Sequence, residues 1–368
     1  MMDSIKQIYK IGHGPSSSHT IAPMRASEMF LTQIKELPVE RIEVTLYGSL
    51  AATGKGHMTD QAILSVLNPV YPTTILWEPR VELTFHPNGL KFAAFDKEGE
   101  ELKEFKVYSI GGGTLANETF NEQVTTPVYE LSTMADIMEY LDKRGLSYWE
   151  YVERCEGSDI WDYLAEVWQV MKQSVQEGLA AEGVLPGGLR LRRKAADTLV
   201  KSLSYKDSVR TRGMVYSYAL AVSEQNAAGG RVVTAPTCGS CGVMPAVLLY
   251  LQETRSFRDE RILRALATAG LFANVVRTNA SISGAEVGCQ GESLALWLLR
   301  LLVSSSVVRY TRSSMRPRWV WSITSGLPAI LSADWYRSPV SSAMPLPLVV
   351  RWMRILMPTS PMVVTVSA

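Results

Sequence analysis

The sequence is sparing with the side chains that carry most enzyme chemistry. Its 368 residues include four histidines and four cysteines, and its formal net charge is only +1. A balance this close to zero supplies no global attraction for nucleic acid. Apolar runs stay below the roughly 18 residues of a membrane span. The opening MMDSIKQIYKIGHG lacks the apolar centre of a signal peptide, so a cytoplasmic protein is expected, with no membrane and no nucleic-acid partner. Four cysteines are too few for a disulfide framework in a chain this long. Disorder is excluded by 46% hydrophobic and 20% charged residues, and the length allows two domains.

What is present is unevenly placed. His13, His19, His57 and His86 all lie early, whereas Cys238, Cys241 and Cys289 lie late in segments rich in Gly, Ser and Thr. A site that uses both sets must join the two ends of the chain. Residues 41–50 alternate polar and apolar like a half-buried strand. Residues 81–113 read as three strands with turns at Pro87-Asn88-Gly89 and Lys97-Glu98-Gly99, and helices are expected over 21–36 and 59–67. From about 131 the spacing turns helical, with a stop at Gly145 and a long amphipathic stretch over 159–183. The fold class is α+β: an N-terminal α+β domain over 1–130, a linker over 131–157, and a mostly α-helical catalytic domain over 158–296.

Residues 297–368 differ in composition. They hold eight arginines, no lysine, one acidic residue (Asp334), five of the nine tryptophans and one of the 26 glycines. A basic membrane or nucleic-acid segment is one reading. A shift of reading frame that replaced the original C-terminus, leaving an aberrant tail, is the other, since arginine without lysine or acid is what a misread frame can produce; the family resemblance described below makes it the preferred one.

Two early loops carry chemistry. Gly12-His13-Gly14-Pro15-Ser16-Ser17-Ser18-His19-Thr20 places an imidazole and four hydroxyls ahead of a helix, where Ser17 or Ser18 can cap and backbone N–H groups can meet a carboxylate. A capped turn without chemistry is the plain alternative. Tyr47-Gly48-Ser49-Leu50-Ala51-Ala52-Thr53-Gly54-Lys55-Gly56-His57 resembles a phosphate loop but has five residues between its glycines and lacks the Ser or Thr for magnesium. It remains a loop presenting His57, which titrates in the range useful for proton transfer. Tyr108-Ser109-Ile110-Gly111-Gly112-Gly113 allows close backbone approach.

The late segments are Ala227 to Gly242, with Cys238-Gly239-Ser240-Cys241, and Asn279 to Glu292, with Ser281, Ser283 and Cys289. A redox pair lacks its βαβ context, and structural zinc wants four ligands. Three thiolates with an open position suit a [4Fe–4S] cluster used as a Lewis acid, though the spacing is only suggestive.

Taken in order, Gly-Pro-Ser-Ser-Ser-His-Thr, Tyr-Gly-Ser-Leu…Thr-Gly-Lys-Gly-His, Tyr-Ser-Ile-Gly-Gly-Gly, Glu-Gly-Val-Leu-Pro-Gly, Asn-Ala-Ala-Gly-Gly-Arg-Val-Val-Thr-Ala-Pro-Thr and Asn-Ala-Ser-Ile-Ser-Gly-Ala-Glu-Val-Gly-Cys-Gln-Gly-Glu resemble the single-chain bacterial iron–sulfur L-serine dehydratases over residues 8 to 295. The resemblance implies β-elimination of L-serine to pyruvate and ammonia, with a [4Fe–4S] cluster as Lewis acid. It implies Cys241 and Cys289 as ligands, and a third from cysteine segments of the family that are absent here, for which Cys238 is an available substitute. His57 is the first choice of base and His19 the second. Ser16, Ser17, Ser18, Thr20, Asn279, Ser281 and Ser283 would orient the substrate, and a homodimer is plausible. The rival expectation is a non-enzymatic homologue unable to assemble the cluster.

Overall fold

A computed structural model of the protein describes residues 1–122, 127–187 and 189–279. Ser281, Ser283, Cys289 and the 297–368 tail lie outside them. The architecture is α+β, with two apolar cores.

The first core is built on a five-stranded sheet. In chain order the elements are β1 (Ile11–His13), α1 (Ala22–Ile34), β2 (Arg41–Tyr47), α2 (Gly48–Thr53), α3 (Thr59–Leu67), β3 (Thr73–Glu78), β4 (Gly89–Phe95), β5 (Glu101–Ser109) and β6 (Leu115–Ala116). The large sheet runs β3-β2-β4-β5-β6, with β3 parallel to β2 and the other pairs antiparallel. Ile42, Val44 and Leu46 recur every second residue on β2, and Ala22, Ala26, Phe30 and Ile34 recur every fourth on α1. These are the two periods that aim side chains at a shared core. The helices expected over 21–36 and 59–67 are α1 and α3.

Three strands were expected over 81–113, and only β4 and β5 form. The chain leaves edge strand β3 and enters β4, which lies on the opposite side of β2. Residues 79–88 are therefore spent crossing the end of β2, where the Gly48 N–H donates to the Val81 carbonyl at 2.9 Å. Val81 and Phe85, read as strand, are exposed. β3 itself was not anticipated.

The second core is helical: α4 (Met134–Arg144), α5 (Tyr148–Glu156), α6 (Ile160–Ala180), α7 (Ala195–Leu203), α8 (Asp207–Ala227), α9 (Val243–Arg255) and α10 (Asp259–Asn279), with the short strand β7 (Arg231–Val233) between α8 and α9. Gly145 ends α4 in the left-handed conformation that glycine favours (φ 65°). The expected helix over 159–183 ends at Ala180, short of Gly183. The segment 131–157, read as a linker, consists largely of α4 and α5, whose Met134, Ile137, Leu141, Tyr151 and Val152 are core residues. The first nine residues also join this core: Met2, Ile5, Ile8 and Tyr9 are buried in it, and the Tyr9 hydroxyl donates to the Leu266 carbonyl at 2.9 Å. β1 pairs antiparallel with β7, placing His13 opposite Arg231 and tying the early loops to the late ones.

Candidate active site

The hydroxyl-rich segment folds as a π-helical turn over Ser17–Ile21 that leads directly into α1. Such wide turns recur at functional sites. Ser16 caps it, its Oγ accepting from the His19 N–H at 3.1 Å. Two threonines lock this turn to the His57 loop. Thr20 Oγ1 donates to the His57 carbonyl at 2.8 Å, and Thr59 Oγ1 donates to the His19 carbonyl at 2.5 Å. The result is a ring pair, His19 and His57, with centroids 4.6 Å apart.

The two imidazoles are held differently. His57 Nδ1 lies 3.0 Å from the Thr53 carbonyl. A carbonyl only accepts, so Nδ1 carries a proton, and in the neutral ring Nε2 is the acceptor. His19 lies between hydroxyls, with Nδ1 2.9 Å from Ser18 Oγ and Nε2 3.3 Å from Ser49 Oγ. Burial, and after it the charge of His57, hold the His19 pKa down to about 4. His19 is thus a neutral hydrogen-bonding group at physiological pH.

Glycines pack the surrounding loops closely. A Cβ on Gly14 would meet the Asn226 carbonyl oxygen at 2.1 Å, and the Gly14 N–H donates to the Gly230 carbonyl at 3.1 Å. Asn226 Nδ2 donates to the Pro15 carbonyl at 3.1 Å. These contacts seat the hydroxyl turn on the end of α8.

The structure brings Ser16, Ser18, His19 and His57 together. Thr20 and Asn279 make other contacts. Thr20 was expected to orient substrate, but it is 3% exposed, and its hydroxyl braces the two loops, accepting from the Ser16 N–H as well as donating to the His57 carbonyl. Asn279 was expected beside it. Its amide instead donates to the Ser132 and Val275 carbonyls at 2.7 and 2.8 Å, at the exposed end of α10. Ser17 is buried within the turn, where its carbonyl accepts from the Ala22 N–H. Ser49 was missed as a site residue. The signal for it was its place directly after a strand and Gly48.

Two of the late cysteines lie together in the helical half. Cys238 and Cys241 flank a short helical turn and are both 2% exposed within the helical core. Burial pushes the Cys241 thiol up to about 12. Among the described residues no three His, Cys, Asp or Glu side chains are grouped to hold a metal ion.

Comparison with known proteins matches residues 4–78 to the family described as serine dehydratase beta chain and residues 89–296 to serine dehydratase alpha chain. The chain is 38% identical to the L-serine dehydratase of Streptomyces coelicolor over 343 residues and 38% identical to L-serine dehydratase 2 of Escherichia coli over 345. It is 36% identical to the L-serine dehydratase of Mycobacterium tuberculosis over 349. In each case 79% of this chain and 75% of the relative are covered.

Proposed function

The chain belongs to the L-serine dehydratase family of carbon–nitrogen lyases, and from that premise we propose that His57 is the base of its β-elimination. The observation that carries this is the Nδ1 contact to Thr53, which in the neutral ring makes Nε2 the acceptor nitrogen. L-Serine presents a weakly acidic Cα–H and a poor leaving group. Nε2 takes the Cα proton, the Cβ–O bond breaks with loss of hydroxide, and aminoacrylate forms. Hydrolysis of its imine tautomer gives pyruvate and ammonia.

His19, kept neutral by burial, orients the substrate with Ser16, Ser18 and Ser49 through hydrogen bonds. Ser281 and Ser283 belong to this reading on the resemblance alone. So does a homodimer. Cys155 and Cys241 form no disulfide among the described residues, as suits a reducing compartment, and we place the enzyme in the cytoplasm. Among the described residues no helix is long and apolar enough to cross a membrane.

A [4Fe–4S] cluster acting as Lewis acid is the finer part of this proposal. Cys241 and Cys289 are its proposed ligands, with Cys238 available as the third. The deciding experiment is L-serine-dependent pyruvate formation after anaerobic iron–sulfide reconstitution, with iron counted in Cys289→Ser and Cys241→Ser. Activity that is lost in air, and iron lost from both Cys289→Ser and Cys241→Ser, is expected. Iron retained in Cys241→Ser would remove it as a ligand, and a chain that makes no pyruvate would overturn the reading.

A further inference from the structure

Lys10 lies where three of the motif-bearing segments meet, and no role described so far uses it. Its backbone is fixed on the late side: the Lys10 N–H donates to Thr234 Oγ1 at 2.9 Å, and the Thr234 N–H donates back to the Lys10 carbonyl at 2.8 Å. Its side chain reaches the other way, with Nζ donating to Thr114 Oγ1 at 3.0 Å. Thr114 is buried and closes the glycine loop, its N–H donating to the Gly111 carbonyl and its carbonyl accepting from the Ile110 N–H. That loop underlies the hydroxyl turn. A Cβ on Gly113 would stand 3.5 Å from the Ser17 carbonyl oxygen and 3.4 Å from Ile21. Arg25 clamps the same loop from α1, donating to the Gly113 carbonyl at 2.6 Å.

We propose that Lys10 is a positioning residue of the dehydratase site, holding the Gly111–Thr114 loop beneath the Ser17 turn and so setting the affinity for L-serine.

The charges around it are consistent with an active function. Lys10 shares its surroundings with Arg25, Arg277, Glu122 and Asp3. The two arginines are paired, Arg25 with Glu122 at 2.7 Å and Arg277 with Asp3 at 3.2 Å. Lys10 is the third cation against two carboxylates, held by a neutral hydroxyl. Burial first, then Arg25 and Arg277, lowers its pKa to about 7. A core position with no further task would favour an apolar side chain of the same length.

The inference rests on the proposed serine pocket, and its test separates the two. Lys10→Met and Lys10→Arg are compared with the parent enzyme by steady-state kinetics on L-serine and by amide exchange. Lys10→Met should raise KM by about 10- to 100-fold, the scale of a small misplacement of binding groups. It should also speed exchange over 111–116 and 16–21, while Lys10→Arg restores both. A Lys10→Met enzyme whose KM stays within two-fold, or whose exchange at the two segments is unchanged, would overturn the assignment. If the parent makes no pyruvate, the pocket reading fails on its own, and exchange with L-serine calorimetry still decides Lys10: faster exchange with weakened binding upholds it, anything else removes it.

Discussion

His19 and His57 are one side chain in two environments, and the environments divide the labour. His57 has its Nδ1 proton fixed by a carbonyl and a free Nε2, whereas His19 is flanked by hydroxyls and kept neutral. His57→Ala should therefore lower kcat for pyruvate formation by about 10²- to 10⁴-fold, the usual worth of a positioned base, and an unchanged kcat would remove it from that role. His19 makes a prediction about stability. Its folded pKa of about 4 lies below the ordinary 6.5, so the unfolded chain takes up the proton first as pH falls. Its contribution is complete above about 6.5 and is lost as pH falls toward 4, up to about 3 kcal/mol. Urea denaturation across that window should show a shallower acid slope in His19→Gln, and parallel slopes would locate the sensitivity elsewhere. The sequence made both histidines legible, because each sits among glycines and hydroxyls. It did not reveal that Thr20 would spend its hydroxyl as a brace, since that depends on a carbonyl 37 positions away.

Among the elements, periodicity was most informative where one face alone is buried. α1, α3, α4 and β2 stand close to where their apolar spacing put them. The misreading over 81–86 has a physical source: Val81, Leu83 and Phe85 alternate as a strand does, but both neighbours of β4 are already taken by β2 and β5. Pairing is a property of the sheet, and local alternation cannot report whether a slot is open. Close helix contacts were equally hidden. Gly178 lets α6 approach α8 so tightly that a Cβ would stand 2.2 Å from the Ala221 carbonyl oxygen. Gly178→Ala should cost about 1–3 kcal/mol by overpacking, although alanine is the better helix former. A gain in denaturation midpoint would show that the two helices part readily.

At the scale of the molecule, His19 and His57 belong to the sheet-bearing half while their seat belongs to the helical half. β1 with β7 and Pro15 with Asn226 make the joint. The division into two halves was legible from the change in periodicity, but the exchange of material across it was not, since IKQIY reads as an unremarkable short turn. Those residues complete the helical core. Ile5 lies against Gly270 of α10, where a Cβ would stand 3.2 Å from the Ile5 side chain, and Tyr9 is closer still at 2.9 Å. Small residues in α10 thus form the bed for the N-terminal segment. It follows that Ile5→Ala should destabilise the helical core by about 2–5 kcal/mol, read by the fluorescence of buried Trp168. Phe92→Ala, of similar cost, should loosen the sheet core first. Both should reduce serine turnover, because the joint needs both halves folded. If Ile5→Ala leaves the Trp168 transition in place and shifts only the sheet, the N-terminal segment stabilises the half that precedes it in the chain, and the helical core stands without it.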